Sequence, residues 1–144
     1  MPKKNIIIIS GPNLNLLGTR EKDIYGSMTM EEIHSKLIDD TINQNLNIQC
    51  VQSNSESEII DLIQNAQNKY DGIIINAGGY THTSVAIRDA LKYFNGYKIE
   101  IHMSNIHARE EFRKVSMISA VCDGIIVGFG ARSYFLALEA IKQI

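Results

Sequence analysis

Residues 72–94 read GIIINAGGYTHTSVAIRDALKYF. Gly72 to Asn76 is a continuous apolar run of strand length. The turn AGGYTHTS follows, and Val85, Ile87, Ala90, Leu91 and Phe94 then recur at helical spacing. A strand that is apolar on both faces and feeds a helix is the repeating unit of a covered parallel sheet. Ile6–Ile9 near the start and Gly124–Phe129 near the end read the same way.

Working outward from this unit, strands and helices alternate along the whole chain. Thr29 and Glu32 form a capping-box pair, and Met30, Ile33, Leu37, Ile38 and Ile42 follow as the apolar stripe of a helix. His34, among charged neighbours, reads as solvated surface. Leu46–Ser53 is strand-like, with Leu46, Ile48 and Cys50 alternating against polar residues. Ser55 and Glu58 repeat the capping box before Ile59, Ile60, Leu62, Ile63 and Ala66. Lys98–Ser104 is a fourth strand, a partly helical polar segment follows, and Tyr134–Ile144 is a closing helix. The expectation is an α/β fold in one domain, residues 1–144: a doubly wound, flavodoxin-like, five-stranded parallel sheet with strand order 2-1-3-4-5.

A length of 144 residues fits one domain with its own core. A net charge of −2 offers no footprint for nucleic acid or an anionic membrane. No apolar run approaches the roughly 18 residues of a membrane span. The opening MPKKNIIIIS is too short in its apolar part for a signal peptide, so a cytoplasmic protein is expected. Cys50 and Cys122 lie far apart in no metal or redox spacing and read as reduced core thiols.

Ligands on such sheets bind beyond the carboxyl ends of the strands, near the switch point between strands 1 and 3. Asn13, Asn15, Arg20 and Tyr25 follow strand 1 in a long loop, Ser10–Gly26, in which Gly18 and Gly26 stand as candidate hinges. Asn76, Thr81, His82, Thr83 and Ser84 follow strand 3. His102, Ser104, Asn105, His107, Arg109 and Arg113 close or follow strand 4. Strands 1, 3 and 4 are neighbours in the expected order, so three polar sets converge. Along strand 4, alternation puts Glu100, His102 and Ser104 on one face. A carboxylate two residues before a histidine orients the ring and favours its protonated form, which suits a general acid.

The chain lacks a Walker loop, a G-x-G-x-x-G, an H-E-x-x-H and a Gly-x-Ser-x-Gly elbow, and no ligand cluster has metal spacing. What remains is a phenol beside a guanidinium, with histidines and amides. Such a set can remove a proton next to a carbonyl, hold the enolate and protonate a leaving hydroxyl. An ordinary phenol, with a pKa of about 10, is only roughly 0.1% ionised at neutral pH. Two units of change require about 2.7 kcal/mol, and one guanidinium at about 4 Å supplies on the order of 4 kcal/mol at an effective dielectric near 20. Arg20 alone is therefore sufficient in magnitude if a closed loop brings it against Tyr25.

With these residues in view, the sequence closely resembles the type II 3-dehydroquinate dehydratases. The matching motifs are GPNLNLLGTRE…YG at 11–26, N-x-GGYTHTSVAIRDA at 76–90, EIHMSNIHAREEFR at 100–113 and GFGA…Y…LALEAI at 128–141. The resemblance implies a cofactor-free anti elimination of water from 3-dehydroquinate, through an enolate, to 3-dehydroshikimate in the shikimate pathway. It implies Tyr25 as the base, Arg20 as stabiliser of the phenolate, Asn13 as holder of a water on the enolate oxygen, and His102, oriented by Glu100, as the acid. It also implies that Asn76, His82, Met103, Ser104 and Arg113 bind substrate. Asp89 would reach into a neighbour's site within a homo-oligomer of trimers assembled as a dodecamer. Lys22, Ala77, Gly79 and Lys114 depart from the residues usual at their positions, with expected effects on loop order and affinity. Three other readings compete: a lysine Schiff-base lyase, a flavodoxin-like module binding a small ligand or phosphate at the GGYTHTS turn, and a receiver-type signalling domain, which needs acidic residues after strand 1 that GPNLN lacks.

Overall fold

The computed structural model describes residues 2–144. Five parallel strands, β1 (Lys4–Ser10), β2 (Leu46–Gln52), β3 (Gly72–Asn76), β4 (Tyr97–His102) and β5 (Gly124–Val127), form one sheet in the order β2-β1-β3-β4-β5. This is the order expected from the alternating pattern. The helices are α1 (Lys22–Tyr25), α2 (Met30–Thr41), α3 (Glu56–Ala66), α4 (Val85–Tyr93) and α5 (Arg132–Lys142). The segment between β4 and β5 holds three short 3₁₀ turns, at Ile106–Ala108, Glu111–Lys114 and Ser119–Val121.

Alternation along the strands separates two core layers. Ile6, Ile8, Ile74, Ile99 and Ile101 pack beneath α2 and α5. Ile7, Ile9, Ile73 and Ile75 pack beneath α3 and α4, through Ile59, Ile63, Ile87, Leu91 and Phe94. The double winding follows from this split. The capping box at Thr29 and Glu32 is fully formed and starts α2.

Several details differ from the sequence expectation. β1 is longer than Ile6–Ile9, β4 ends at His102, and β5 ends at Val127. β5 is not covered on both faces: Ile125 is 51% exposed and Phe129 59%. The physical reason is that α3 and α4 cover the inner strands of that face, leaving the edge strand bare. Ile38 and Ile42 are exposed, because the buried stripe of α2 is Met30, Ile33, Leu37 and Thr41, and Ile42 lies past its last turn. Val85, at the first turn of α4, also faces outward. Ser55 caps α3 by accepting from the Glu58 N–H, without the reciprocal bond of a full box. His34 is half-buried rather than solvated; its Nε2 has no partner, and burial lowers its pKa. Cys50 and Cys122 are half-buried free thiols. Burial pushes Cys50 up to about 11, and burial with the Glu100 charge pushes Cys122 up to about 12.

The ends of β1 and β3 meet without room for a side chain. The Gly11 N–H donates to the Asn76 carbonyl at 2.7 Å. A Cβ on Gly11 would lie 2.5 Å from the Ala77 carbonyl oxygen. Gly11→Ala is therefore expected to destabilise the protein by about 1–3 kcal/mol, read as a fall in Tm of roughly 3–10 °C; an unchanged Tm would contradict the close approach.

Candidate functional site

The carboxyl ends of β1, β3 and β4 open into a cavity of about 110 Å³. Asn13, Arg20, Tyr25, Asn76, His82, His102, Met103, Ser104 and Arg113 all line it, together with Arg109 and Ile106. The loop after β1 supplies the wall. Its base is anchored by buried Leu14 and Leu17 in the core beneath α2. Its outer part, from Gly18 to Gly26, carries the short helix α1, and both glycines have positive φ, at 85° and 84°. At Gly18 a Cβ would meet the Ser27 carbonyl at 2.9 Å, so glycine is required there on two grounds.

Tyr25 points its phenol into the cavity from the end of α1. Two guanidiniums flank its ring at 5.3 Å from the centroid, those of Arg20 and Arg109. Only Arg109 reaches the phenol oxygen: its Nη1 donates to Tyr25 Oη at 2.9 Å and to Ser104 Oγ at 3.0 Å. Arg20 instead pairs with Glu21 at 3.2 Å. In the sequence, Arg109 stands in the polar set after strand 4 without a role. The 3₁₀ turns between β4 and β5 carry it back over the cavity, and helical or strand periodicity gives no sign of such a path.

His102 and Glu100 share one face of β4, as alternation requires. His102 Nε2–H donates to Glu100 Oε2 at 2.5 Å. Glu100 has no solvent exposure. Burial alone would raise its carboxyl pKa, but bonds from His102 and Ser119, the charge of His102 and a bond from Ser116 outweigh it and hold the group below its ordinary value. His82 stacks on His102 with ring centroids 6.3 Å apart. Its Nδ1–H donates to the Val115 carbonyl at 2.8 Å, which leaves Nε2 as an acceptor. Burial first, then the charges of His102 and Arg113, lower the His82 pKa against the opposing Val115 bond and Glu100 charge.

Asn76 is positioned by a residue to which the sequence reading gives no role. Tyr134, at the first turn of α5, is fully buried, and its hydroxyl bonds Ser10 Oγ at 2.8 Å and accepts from Asn76 Nδ2 at 3.2 Å. Asn76 Oδ1 accepts from the Gly78 N–H at 3.3 Å. One amide hydrogen of Asn76 stays free to meet a ligand. A tyrosine on the buried stripe of an amphipathic helix is the available signal. Asn13 takes the left-handed backbone, with φ 69°, which an asparagine tolerates. Its N–H donates to Asn54 Oδ1 at 3.0 Å.

Not every candidate enters the cavity. Asp89 is exposed on α4, where it faces Arg88 at 3.8 Å. Thr83, Asn105 and His107 are exposed, Thr81 is buried, and Ser84 caps α4 by accepting from the Ile87 N–H at 2.9 Å. Lys22 and Lys114 stay on the surface, the latter 2.9 Å from Glu111. Among the described residues, the side chains lining the cavity include three arginines and two histidines but no carboxylate. The site is built for an anion. No group of three or more His, Cys, Asp or Glu side chains among them is arranged to hold a metal ion.

The chain matches the family described as dehydroquinase class II over residues 4–142. It is 52% identical over 139 residues to a 3-dehydroquinate dehydratase of a Nitratiruptor species, covering 96% of this chain and 89% of that protein. It is 55% identical to one from Campylobacter jejuni subsp. jejuni, covering 96% and 87%. The crystal structure of the type II dehydroquinase from Butyrivibrio crossotus superposes with a TM-score of 0.94 at 47% identity, covering 96% of this chain and 97% of that one.

A carboxyl held below its ordinary value of 4.5 contributes stability that is complete above that pH and is lost as pH falls through the lowered folded value. The unfolding free energy should therefore drop as pH falls from about 4.5 through the lowered folded value. Glu100→Gln should flatten that part of the curve while lowering stability at pH 7. Parallel wild-type and variant curves would contradict the assignment.

Proposed function

The chain belongs to the class II dehydroquinase family and is a hydro-lyase acting on 3-dehydroquinate, and from there we propose that it removes water by anti elimination through an enolate, without a cofactor. Tyr25, as phenolate, takes the proton from C2. The negative charge passes to the ketone oxygen, where a water held by Asn13 donates to it. His102, as imidazolium, protonates the departing C1 hydroxyl, and Glu100 keeps the ring in place. The observation that carries this reading is the Tyr25 oxygen held at 2.9 Å by Arg109, in the same cavity as His102, which buried Glu100 holds from beneath.

The energetics favour Arg109 as the main stabiliser of the phenolate, because it donates directly to the oxygen on which the charge resides. Arg20 adds charge over the ring face. Asn76, with its free amide hydrogen, His82, with its acceptor Nε2, and Ser104 bind hydroxyls. Arg113 and the backbone at Met103 and Ser104 bind the carboxylate, consistent with a wall that carries three arginines and no carboxylate. Closure of the 18–26 segment excludes water and strengthens these interactions.

We further propose that the chain acts as one catalytic domain in a cytoplasmic, homo-oligomeric enzyme, trimers assembled into a dodecamer. The bare edge at Ile125 and Phe129 supports a partner copy. Among the described residues no helix is long and apolar enough to cross a membrane. Asp89, outside the cavity of its own chain, would complete a neighbour's site.

A continuous ultraviolet assay for the conjugated enone, with 3-dehydroquinate and excess chelator, tests the reaction; repeating it after borohydride treatment with substrate tests the lysine route. Turnover should survive both. Tyr25→Phe should lower kcat by at least about a thousandfold, within the range of a lost general base. Arg109→Ala should lower kcat more than Arg20→Ala and move the rise of activity to higher pH. Equal effects from the two arginines would overturn the division of labour. Mixing Asp89→Ala and Tyr25→Phe subunits should restore part of the activity if sites are shared; additive inactivity would count against sharing.

A further inference from the structure

The Glu100–His102 pair does not stand alone. Glu100 Oε2 also accepts from Ser116 Oγ at 2.9 Å, and Oε1 accepts from Ser119 Oγ. Neither serine lines the cavity, so neither touches a bound substrate. Both belong to the segment just before β5, which is fastened by fully buried Ile118 in the core beneath α3 and α4. Ser116 is itself oriented. Its Oγ accepts from the Ile118 N–H at 3.2 Å and the Ser119 N–H at 3.1 Å. With two donors aimed at its lone pairs, its hydroxyl hydrogen is left to Glu100.

We infer that Ser116 and Ser119 are positioning residues for the general acid: they hold Glu100 as a fixed carboxylate, so that the proton shared by the Glu100–His102 pair resides on His102. The inference rests on the role proposed above for His102. In the protonation step the C1–O bond breaks, its electron pair leaves with oxygen, and the oxygen takes a proton from the imidazolium to become water. Nε2–H is committed to Glu100, so the transferred proton comes from Nδ1. His102 ends as neutral imidazole and Glu100 stays a carboxylate throughout.

Without the two hydroxyls the buried carboxylate keeps one donor out of three. A proton then moves from His102 to Glu100, and the pair becomes a carboxylic acid beside a neutral imidazole, which is a weak acid. No other group replaces the lost donors. The titratable groups that sense the Glu100 charge are His102, His82 and Cys122, and Lys98 turns its Nζ to the Leu91 and Phe94 carbonyls. The bonds on Glu100 come from His102, Ser116 and Ser119, two of them from these serines. Ser116 lies on the link between the 3₁₀ turns Glu111–Lys114 and Ser119–Val121, and Ser119 opens the second turn.

The test is steady-state conversion of 3-dehydroquinate from pH 4.5 to 9 by wild type, Ser116→Ala, Ser119→Ala and the double variant, with circular dichroism and Tm as folding controls. Each alanine should lower kcat roughly tenfold, the cost of about one charge-assisted hydrogen bond, and leave KM within about twofold. The acid limb of the kcat profile should move to higher pH, because Glu100 must now lose its proton without help. Ser119→Thr and Ser119→Val have the same shape and differ in the hydroxyl, so they separate the effect from packing. Threonine should keep most of kcat and valine should lose it. A double alanine variant with wild-type kcat and an unmoved acid limb would overturn the inference, as would equal kcat for threonine and valine or a change confined to KM. Absence of enone from wild type in the same assay would instead overturn the reading of the reaction, and so separates the two failures.

Discussion

β1 has to satisfy both of its edges, and the site follows from that. Ser10 meets Gln52 on one side and Asn76 on the other. A right-handed connection to β2 must run over one face of the sheet, and the connection that returns to β3 must run over the other. α2 and α3 accordingly lie on opposite layers. The chain therefore diverges beyond the carboxyl end of β1, and no helix can fill the gap. Gly11, pressed against Ala77, fixes how narrow that gap is at its root.

A cavity walled by arginines needs negative charge somewhere, and here it lies inside the sheet. Glu100 supplies it from a fully buried position on β4. A buried carboxylate is costly unless every lone pair finds a donor, and this one has three. The same holds for Tyr134, whose hydroxyl is satisfied by Ser10 and Asn76 although burial pushes its pKa up to about 12. Glu100 and Tyr134 beneath the cavity are thus paired, and groups on its wall retain capacity for a ligand. His82 commits Nδ1 and keeps Nε2 open, while Asn76, bonded through both Nδ2 and Oδ1, keeps one amide hydrogen.

Strand order and most of the cavity lining are legible in the sequence, because both depend on features local to a strand. A fully apolar run means a covered strand, and a polar residue just past it means the sheet's working edge. Legibility falls where position depends on irregular backbone. Arg109 reaches the cavity, and Ser116 and Ser119 reach Glu100, from an irregular segment of short 3₁₀ turns and links with no sustained period. Tyr134 comes from a helix whose phenol end passes beneath β1 and β3. Spacing alone assigns Ile38 and Ile42 to the core, yet the stripe of α2 is narrower than the apolar set and the helix stops at Thr41. Apolar character alone suggests a covered β5, but it does not say whether another element lies above the strand.

The two thiols have a practical consequence. A pKa of about 11 leaves roughly one Cys50 in ten thousand ionised at pH 7, and Cys122 at about 12 still fewer. Since the thiolate is the reacting form, both half-buried thiols are expected to react slowly with maleimides and mild oxidants. A single cysteine introduced on the exposed surface of α1 would outcompete both for a fluorophore. The fold thus lends itself to site-specific labelling, and a fluorophore on α1 would report on the loop beside the cavity with both native cysteines left in place.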